Sequence, residues 1–305
     1  MAHNFSQIKL PYNTAFVVNP AAGGGHAGQV WPQLAARLDE SGQPFQAYFT
    51  NAQGTGAALA ARAVREGAEL VVAIGGDGTL REVVNGIDFD KTLFGIIPLG
   101  TGNGFRRSCG IPGNWEQALQ GLAEWAPRKI DVGQVNGSYF LNVVGIGFDA
   151  AVAEMAADKY SRIKGYAAYL AAFFDELMTF DYFCATVESP GLKLQEEHAL
   201  LALVANGTYY GGSFSIAPQA VIDDGKLDLL LVRKRNSPET TLLAVKVLAG
   251  IHIEDSGVLT HRGTAYEINA DHQVPVHIDG EVIGSLPAKI TILPAALQII
   301  APPAK

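Results

Sequence analysis

The chain has 305 residues, enough for two domains with cores of their own. Hydrophobic residues make up 48% and charged residues 17%, which excludes a disordered chain, and a net charge of −8 with no basic block excludes a general nucleic-acid binder. Two cysteines, Cys109 and Cys184, stand outside any C-x-x-C spacing, so a disulfide scaffold and a cysteine-rich zinc site are excluded and a reducing compartment is expected.

From Asn13 to about Ala126, apolar strands alternate with helical patterns. Ala15-Phe16-Val17-Val18 reads as a strand, followed by a glycine-rich turn and a helix from about Gln29 to Glu40. Phe45 to Phe49 is a second strand, before a helix from about Gly56 to Glu66. Val71-Val72-Ala73-Ile74 is apolar and β-branched enough to be buried on both faces. The helix after it, from about Thr79, stops at Asn85-Gly86. Phe94 to Pro98 is a fourth strand, and Trp115 to Ala126 a further helix. Such alternation predicts a parallel, doubly wound α/β sheet, with the loops after its strands gathered on the edge where ligands bind.

After about Ile130 the rhythm changes. Tyr139 to Val144, Leu200 to Ala205, Lys226 to Val232, Ala265 to Ala270, Val274 to Ile278 and Ala288 to Leu293 read as short strands. Helical patterns are confined to Asp149–Thr179 and Pro238–Gly250. A mainly antiparallel β-sandwich or flattened barrel is expected, with the boundary near Pro127-Arg128-Lys129. The amino terminus, Met1 to Phe5, lacks a signal pattern, and no apolar run reaches the roughly 18 residues that span a bilayer. The nearest is Gly165 to Phe174, flanked by Arg162 and Lys164 before and by Asp175 and Glu176 after. It reads as a core helix, with a lipid-facing helix as the alternative.

Three glycine-rich loops follow predicted strands of the first half. Gly23, Gly25 and Gly28 form G-x-G-x-x-G, a dinucleotide fingerprint that also needs an acid after the second strand. That place holds Thr50-Asn51-Ala52-Gln53, so the dehydrogenase reading weakens. What remains is a backbone cradle, with Asn19 fixing the turn and Thr50 offering a hydroxyl. Gly75-Gly76-Asp77-Gly78-Thr79 is the second loop. Its glycines allow close approach to a ligand, and the helix behind it offers free N–H groups to an anion. Asp77 beside phosphates points to a bridging Mg²⁺, or else it is a helix cap. In the third loop, Pro98 to Arg107, Thr101 and Asn103 offer neutral hydrogen-bond groups, and Arg106 and Arg107 can offset phosphate charge.

In the second half, Asp279-Gly280-Glu281 sets two acids around a glycine at a strand end. One of them suits proton removal from an attacking hydroxyl, while the plain alternative is a D-G hairpin turn. Asp224 in Val221-Ile222-Asp223-Asp224-Gly225-Lys226 is either a metal ligand, with nearby carbonyls, or part of a turn. His252, His261, His272 and His277 lack metal-ligand spacing and read as surface or core histidines.

In order along the chain stand Asn19-Pro20 with Gly23-Gly24-Gly25, Thr50, Gly75 to Thr79, Pro98 to Phe105, Asn142 with Gly145-Ile146-Gly147-Phe148-Asp149, Pro218 with Asp224-Gly225, and Asp279-Gly280-Glu281. The ordered set resembles the diacylglycerol kinase catalytic family, specifically its bacterial soluble lipid kinases, from about residue 13 onward. The G-G-D-G-T piece is shared with NAD kinases and phosphofructokinases; the ordered set is what is specific. The resemblance implies a Rossmann-like ATP-binding domain over 1–128, a β-sandwich lipid-substrate domain over 129–305, and ATP in the cleft. By that likeness Asn19, Pro20, Gly23, Gly24, Gly25, Thr50, Gly75, Gly76, Asp77, Gly78, Thr79, Leu80, Arg81 and Thr101 contact the nucleotide. Asn103, in the same loop as Thr101, is counted with them as nucleotide-binding. Asp77 works with the catalytic Mg²⁺. Glu281 or Asp279, Glu281 preferred, accepts the proton of the lipid hydroxyl, and Asp224 with the carbonyls of Val221 and Lys226 holds a structural Mg²⁺.

The implied activity is ATP- and Mg²⁺-dependent phosphorylation of a lipid hydroxyl, met at a membrane surface or in a pocket. An NAD kinase-like phosphotransferase and a catalytically silent nucleotide- or lipid-binding protein are the alternatives. The expected location is the cytoplasm, with transient contact at the inner face of the membrane, and a homodimer is compatible. Gly104 stands where the family's G-T-x-N-D loop carries Asp. Sphingosine kinases, with a small residue there, show that this substitution is compatible with activity.

Overall fold

The computed structural model describes residues 8–51, 54–160, 163, 166–210 and 214–303. Ala52, Gln53, Arg162, Lys164, Gly165 and the amino-terminal residues 1–5 lie outside them. The chain forms two compact units, one of Met1–Ile130 with Ala295–Lys305 and one of Asp131–Pro294.

Unit 1 begins β1 (Thr14–Val18), α1 (His26–Glu40), β2 (Phe45–Phe49), α2 (Thr55–Arg65), β3 (Leu70–Gly75) and α3 (Asp77–Val84). It continues with β4 (Leu93–Pro98), α4 (Gly104–Ser108) and α5 (Trp115–Glu124). β1 pairs in parallel with both β2 and β3, and β3 with β4. Every residue of β1 and β3 is buried, as their unbroken apolar runs require of strands covered on both faces. In α1 the buried residues Ala27, Val30, Leu34 and Leu38 recur at helical spacing and pack with Phe16, Val18, Leu70 and Val72.

β5 (Pro127–Val135) carries the chain into unit 2, followed by β6 (Ser138–Phe140), β7 (Val143–Gly147), α6 (Phe148–Asp158), α7 (Tyr166–Thr179), β8 (Phe183–Ser189) and β9 (Leu192–Ala205). Next come β10 (Tyr209–Tyr210), β11 (Phe214–Ser215), β12 (Leu227–Arg233), α8 (Ser237–Ala249), β13 (Val258–Gly263), β14 (Ala265–Ala270), β15 (Pro275–Ile278), β16 (Glu281–Ser285) and β17 (Ala288–Ile300). The order β16-β15-β7-β9-β8-β14-β17 is antiparallel throughout, and β12 pairs with β9 and β13. Alternate residues feed one core: Phe183, Ala185 and Val187 from β8; Leu227, Leu229 and Leu231 from β12; Ala288, Ile290 and Ile292 from β17. A separate cluster joins Phe148 and Val152 of α6, Ala168 and Ala172 of α7, and Val232 and Leu243. α8 starts in a capping box between Asn236 and Glu239.

One expectation changes. The sequence assigns 129–305 to the second domain, whereas Ala295–Lys305 belongs to unit 1. Ile299 pairs in parallel with Phe94, and Ile300 is buried in the unit 1 core. One strand, β17, thus serves both units, which a single apolar run does not reveal. In the stretch read as a core helix, Ala168 and Ala172 are buried and Phe173 packs edge-on against Phe148, while Phe174 is 58% exposed. No helix among the described residues is long and apolar enough to cross a membrane.

Candidate functional site

In unit 1 the strand order β2-β1-β3-β4 reverses direction between β1 and β3, the place where ligands bind in open α/β sheets. The three glycine loops leave the carboxyl ends of β1, β3 and β4, and the structure knits them together. Asn19 donates from Nδ2 to Thr79 Oγ1 at 3.1 Å and accepts from the Ala21 N–H, while its own N–H reaches Ile74 O. Thr50 joins them through its N–H to Val18 O at 2.9 Å. Asp77 lies at the start of α3 but does not cap it. Its two oxygens accept the N–H groups of Gly104 and Phe105, at 2.9 and 3.0 Å, and so cap α4 instead.

The glycines divide by role. A Cβ on Gly100 would lie 2.2 Å from Gly76 Cα, and one on Gly23 would lie 2.5 Å from Leu99 O. These glycines let loops approach each other, and Gly23 and Gly76, read from the sequence as nucleotide contacts, serve that packing as well. Gly24 and Gly25 have φ of +67° and +96° and face open space. Gly78 is exposed at the start of α3, where first-turn N–H groups have no intrahelical acceptor. Thr101 is exposed, while Leu80 is buried in the body of α3 and Arg81 is half-buried. Asn103, proposed to offer hydrogen bonds outward, spends both ends of its amide on Gly100, 3.0 Å from its N–H and 2.7 Å from its carbonyl. Arg106 donates to Ile111 O. Burial, with Arg107 beside it, holds its guanidinium below the ordinary value, against the pull of Asp77.

In unit 2, Ile278 and Glu281 pair across Asp279-Gly280, whose φ values of +49° and +92° make a two-residue turn of type I′. The D-G hairpin is therefore present, and it is not a loosely solvated one. The Asp279 carboxylate accepts from the N–H groups of Leu141, Asn142 and Val143 at 3.3, 3.2 and 2.9 Å. Glu281, half-buried, opens β16. Behind the turn lies a pair that the sequence reading passed over as a core histidine. His277 is fully buried, with Nε2 at 2.5 Å from Asp149 Oδ2 and Nδ1 accepting the Gly280 N–H at 3.1 Å. An isolated His in an apolar strand gave no sign of this, because its partner lies 128 positions away. Asp131 was also missed: it is 1% exposed and accepts the Gly225 N–H at 2.6 Å.

The two expected Mg²⁺ positions differ in fit. At Asp77 an anionic carboxylate lies at the glycine-rich start of α3, and carboxylate oxygen is a donor that suits Mg²⁺. Asp224 does not suit one. Its Oδ2 pairs with Arg262, which also reaches Asp228 Oδ1 at 3.1 Å, and its Oδ1 accepts the Lys226 N–H. A guanidinium already neutralises this corner, and the Val221 side chain is 44% exposed beside it. Among the described residues no group of three or more His, Cys, Asp or Glu is arranged to hold a metal.

Residues 13–135 match the diacylglycerol kinase catalytic domain, and residues 142–301 match the YegS C-terminal NAD kinase beta sandwich-like domain. A diacylglycerol kinase of Bacillus subtilis (strain 168) is 31% identical over 296 residues, which is 95% of this chain and 96% of the relative. The chain belongs to the diacylglycerol kinase family. With the family comes the enzyme class, that of a lipid kinase. A crystal structure of a diacylglycerol kinase from Bacillus anthracis str. Sterne, 26% identical, superposes with a TM-score of 0.76 over 97% of this chain and 99% of that one. An NAD kinase from Archaeoglobus fulgidus in complex with ATP, 14% identical, reaches a TM-score of 0.50 over 94% of this chain and 92% of its own. That second likeness is one of fold.

Proposed function

We propose that this diacylglycerol kinase family member transfers the γ-phosphoryl group of ATP to the hydroxyl of a diacylglycerol-like lipid. The observation that carries the reading is the 31% identity to a diacylglycerol kinase along 95% of the chain. The loops of unit 1 support the donor side. Gly24 and Gly25 line an open stretch of backbone, and the start of α3 offers first-turn N–H groups for phosphate oxygens. Thr50, Thr101 and Arg81 would supply polar contacts to the nucleotide. Mg²⁺ at Asp77, when bound, neutralises charge on the transferring group. Asp77 itself holds α4, and through it the third loop, against the second.

Unit 2 supports the acceptor side. Asp279 has its oxygens committed to three amides, so the proton acceptor is Glu281. Position 104 contributes its backbone N–H to Asp77, a role that glycine fills, so Gly104 by itself does not silence the site.

Mg²⁺-dependent transfer of labelled γ-phosphate from ATP to a lipid panel, with NAD as a competing acceptor, tests the reading. Label in a diacylglycerol product is the expected result. Label in NADP favours the NAD kinase fold-mate as the functional guide, and ATP binding without transfer favours a silent binding protein.

A further inference from the structure

We infer that His277, held by Asp149, is a positioning residue for Glu281. The inference rests on the proposed kinase reading and adds to it a group that never touches the substrate. Because Nδ1 accepts the Gly280 N–H, the ring carries its proton on Nε2, where it is donated to Asp149. Both nitrogens are thereby used, and the ring plane is fixed. Tyr210 stacks on the imidazole at 5.3 Å between centroids and 14° between planes. Opposite His277 on β7 stands Gly145, where a Cβ would lie 2.1 Å from Nε2 and 2.6 Å from Asp149 Oδ2. The neighbouring strand thus leaves the space that the pair fills.

The bond from Gly280 decides what the pair does. In a type I′ turn the central peptide joins the first turn residue to the second, here Asp279 to Gly280. Glycine accepts φ of either sign, so this peptide is the one most able to rotate. The Asp279 carboxylate anchors one side of it to the start of β7. The imidazole Nδ1 accepts the N–H on the other side. Glu281 follows immediately, so its backbone is aimed by a peptide locked from both ends. A general base must sit within hydrogen-bond reach of the proton it takes, and a misplacement of about 1 Å can cost about 100-fold in rate.

His277→Phe keeps the ring volume and removes both nitrogens. We expect kcat to fall about 10- to 100-fold with KM for ATP unchanged, and the Gly280 amide to exchange faster while Ile278 in the adjoining ladder stays protected. His277→Asn, which can return an acceptor near the Nδ1 position, should recover part of the loss. Asp149→Asn, which still accepts from Nε2–H, should stay near wild type, while Asp149→Ala should not. Where His277→Phe does not fold, the Asp149 pair makes the same comparison. A folded His277→Phe with wild-type kcat, beside an inactive Glu281→Gln, overturns this inference and leaves the kinase reading standing. An active Glu281→Gln overturns this inference by removing the base that His277 would position, and leaves the kinase reading standing; a wild-type enzyme that phosphorylates no lipid removes the kinase reading and this inference with it.

Discussion

Asp77 in unit 1 and Asp279 in unit 2 look alike in sequence: each is an aspartate beside glycine at the end of a strand. Both accept backbone N–H groups, yet they differ in what they hold. Asp77 reaches across to another loop and takes one of its amides on each oxygen. Asp279 folds back on its own sheet and takes three amides. The comparison teaches that an acid in a glycine turn is a fastener first, and that where it fastens, to a neighbouring loop or to its own sheet, sets what else it can do.

The largest effect expected is from Asp77→Ala, which removes the proposed Mg²⁺ ligand together with the α4 cap and should abolish lipid phosphorylation. Full turnover in that variant would break the comparison on the unit 1 side. Glu281→Gln should lower kcat by about 10²- to 10⁴-fold, the usual worth of a general base, with the melting temperature unchanged. Asp279→Ala should instead destabilise unit 2 by about 1–3 kcal/mol, since it strands amides at the start of β7, as read by denaturant unfolding. If Asp279→Ala keeps wild-type stability and Glu281→Gln keeps activity, the two roles are exchanged.

A third aspartate sharpens the contrast with a smaller effect. Asp255 is fastened by the Lys246 ammonium first, then by the Gly257 N–H and the Arg235 guanidinium, which hold its carboxyl far below the ordinary 3.8. Its folded value is depressed, so its stabilisation is fully present above the unfolded value and is lost as pH falls through the folded one. Wild-type unfolding monitored against pH should therefore lose this contribution below about pH 4. Asp255→Asn should melt earlier at pH 7, with the two curves drawing together in acid.

Much of this was legible in the sequence. The unbroken apolar runs of β1 and β3, the loops after them and the D-G hairpin follow from local pattern, and the structure has each where the pattern places it. The ordered motifs also pointed to the family to which the chain belongs. Contacts between distant residues were not legible. Nothing near Asp224 in the sequence announces Arg262, nothing near His277 announces Asp149, and the closeness of Gly76 to Gly100 is a property of two loops together. The end of β17 was missed for a related reason: apolar alternation says that a strand is buried, but not which sheet receives it.

That last strand bears on the order in which the molecule can be made. Unit 1 takes its first 130 residues from the start of the chain and the rest from 295 onward. At a synthesis rate of about 5–20 residues per second, β4 waits roughly ten to forty seconds for Ile299 to emerge. During that interval a fully apolar strand is a bare sheet edge, the kind of surface on which nascent chains aggregate. Ribosome-bound chains ending at Pro294 should therefore be more protease-sensitive in unit 1 than chains extended through Ala301.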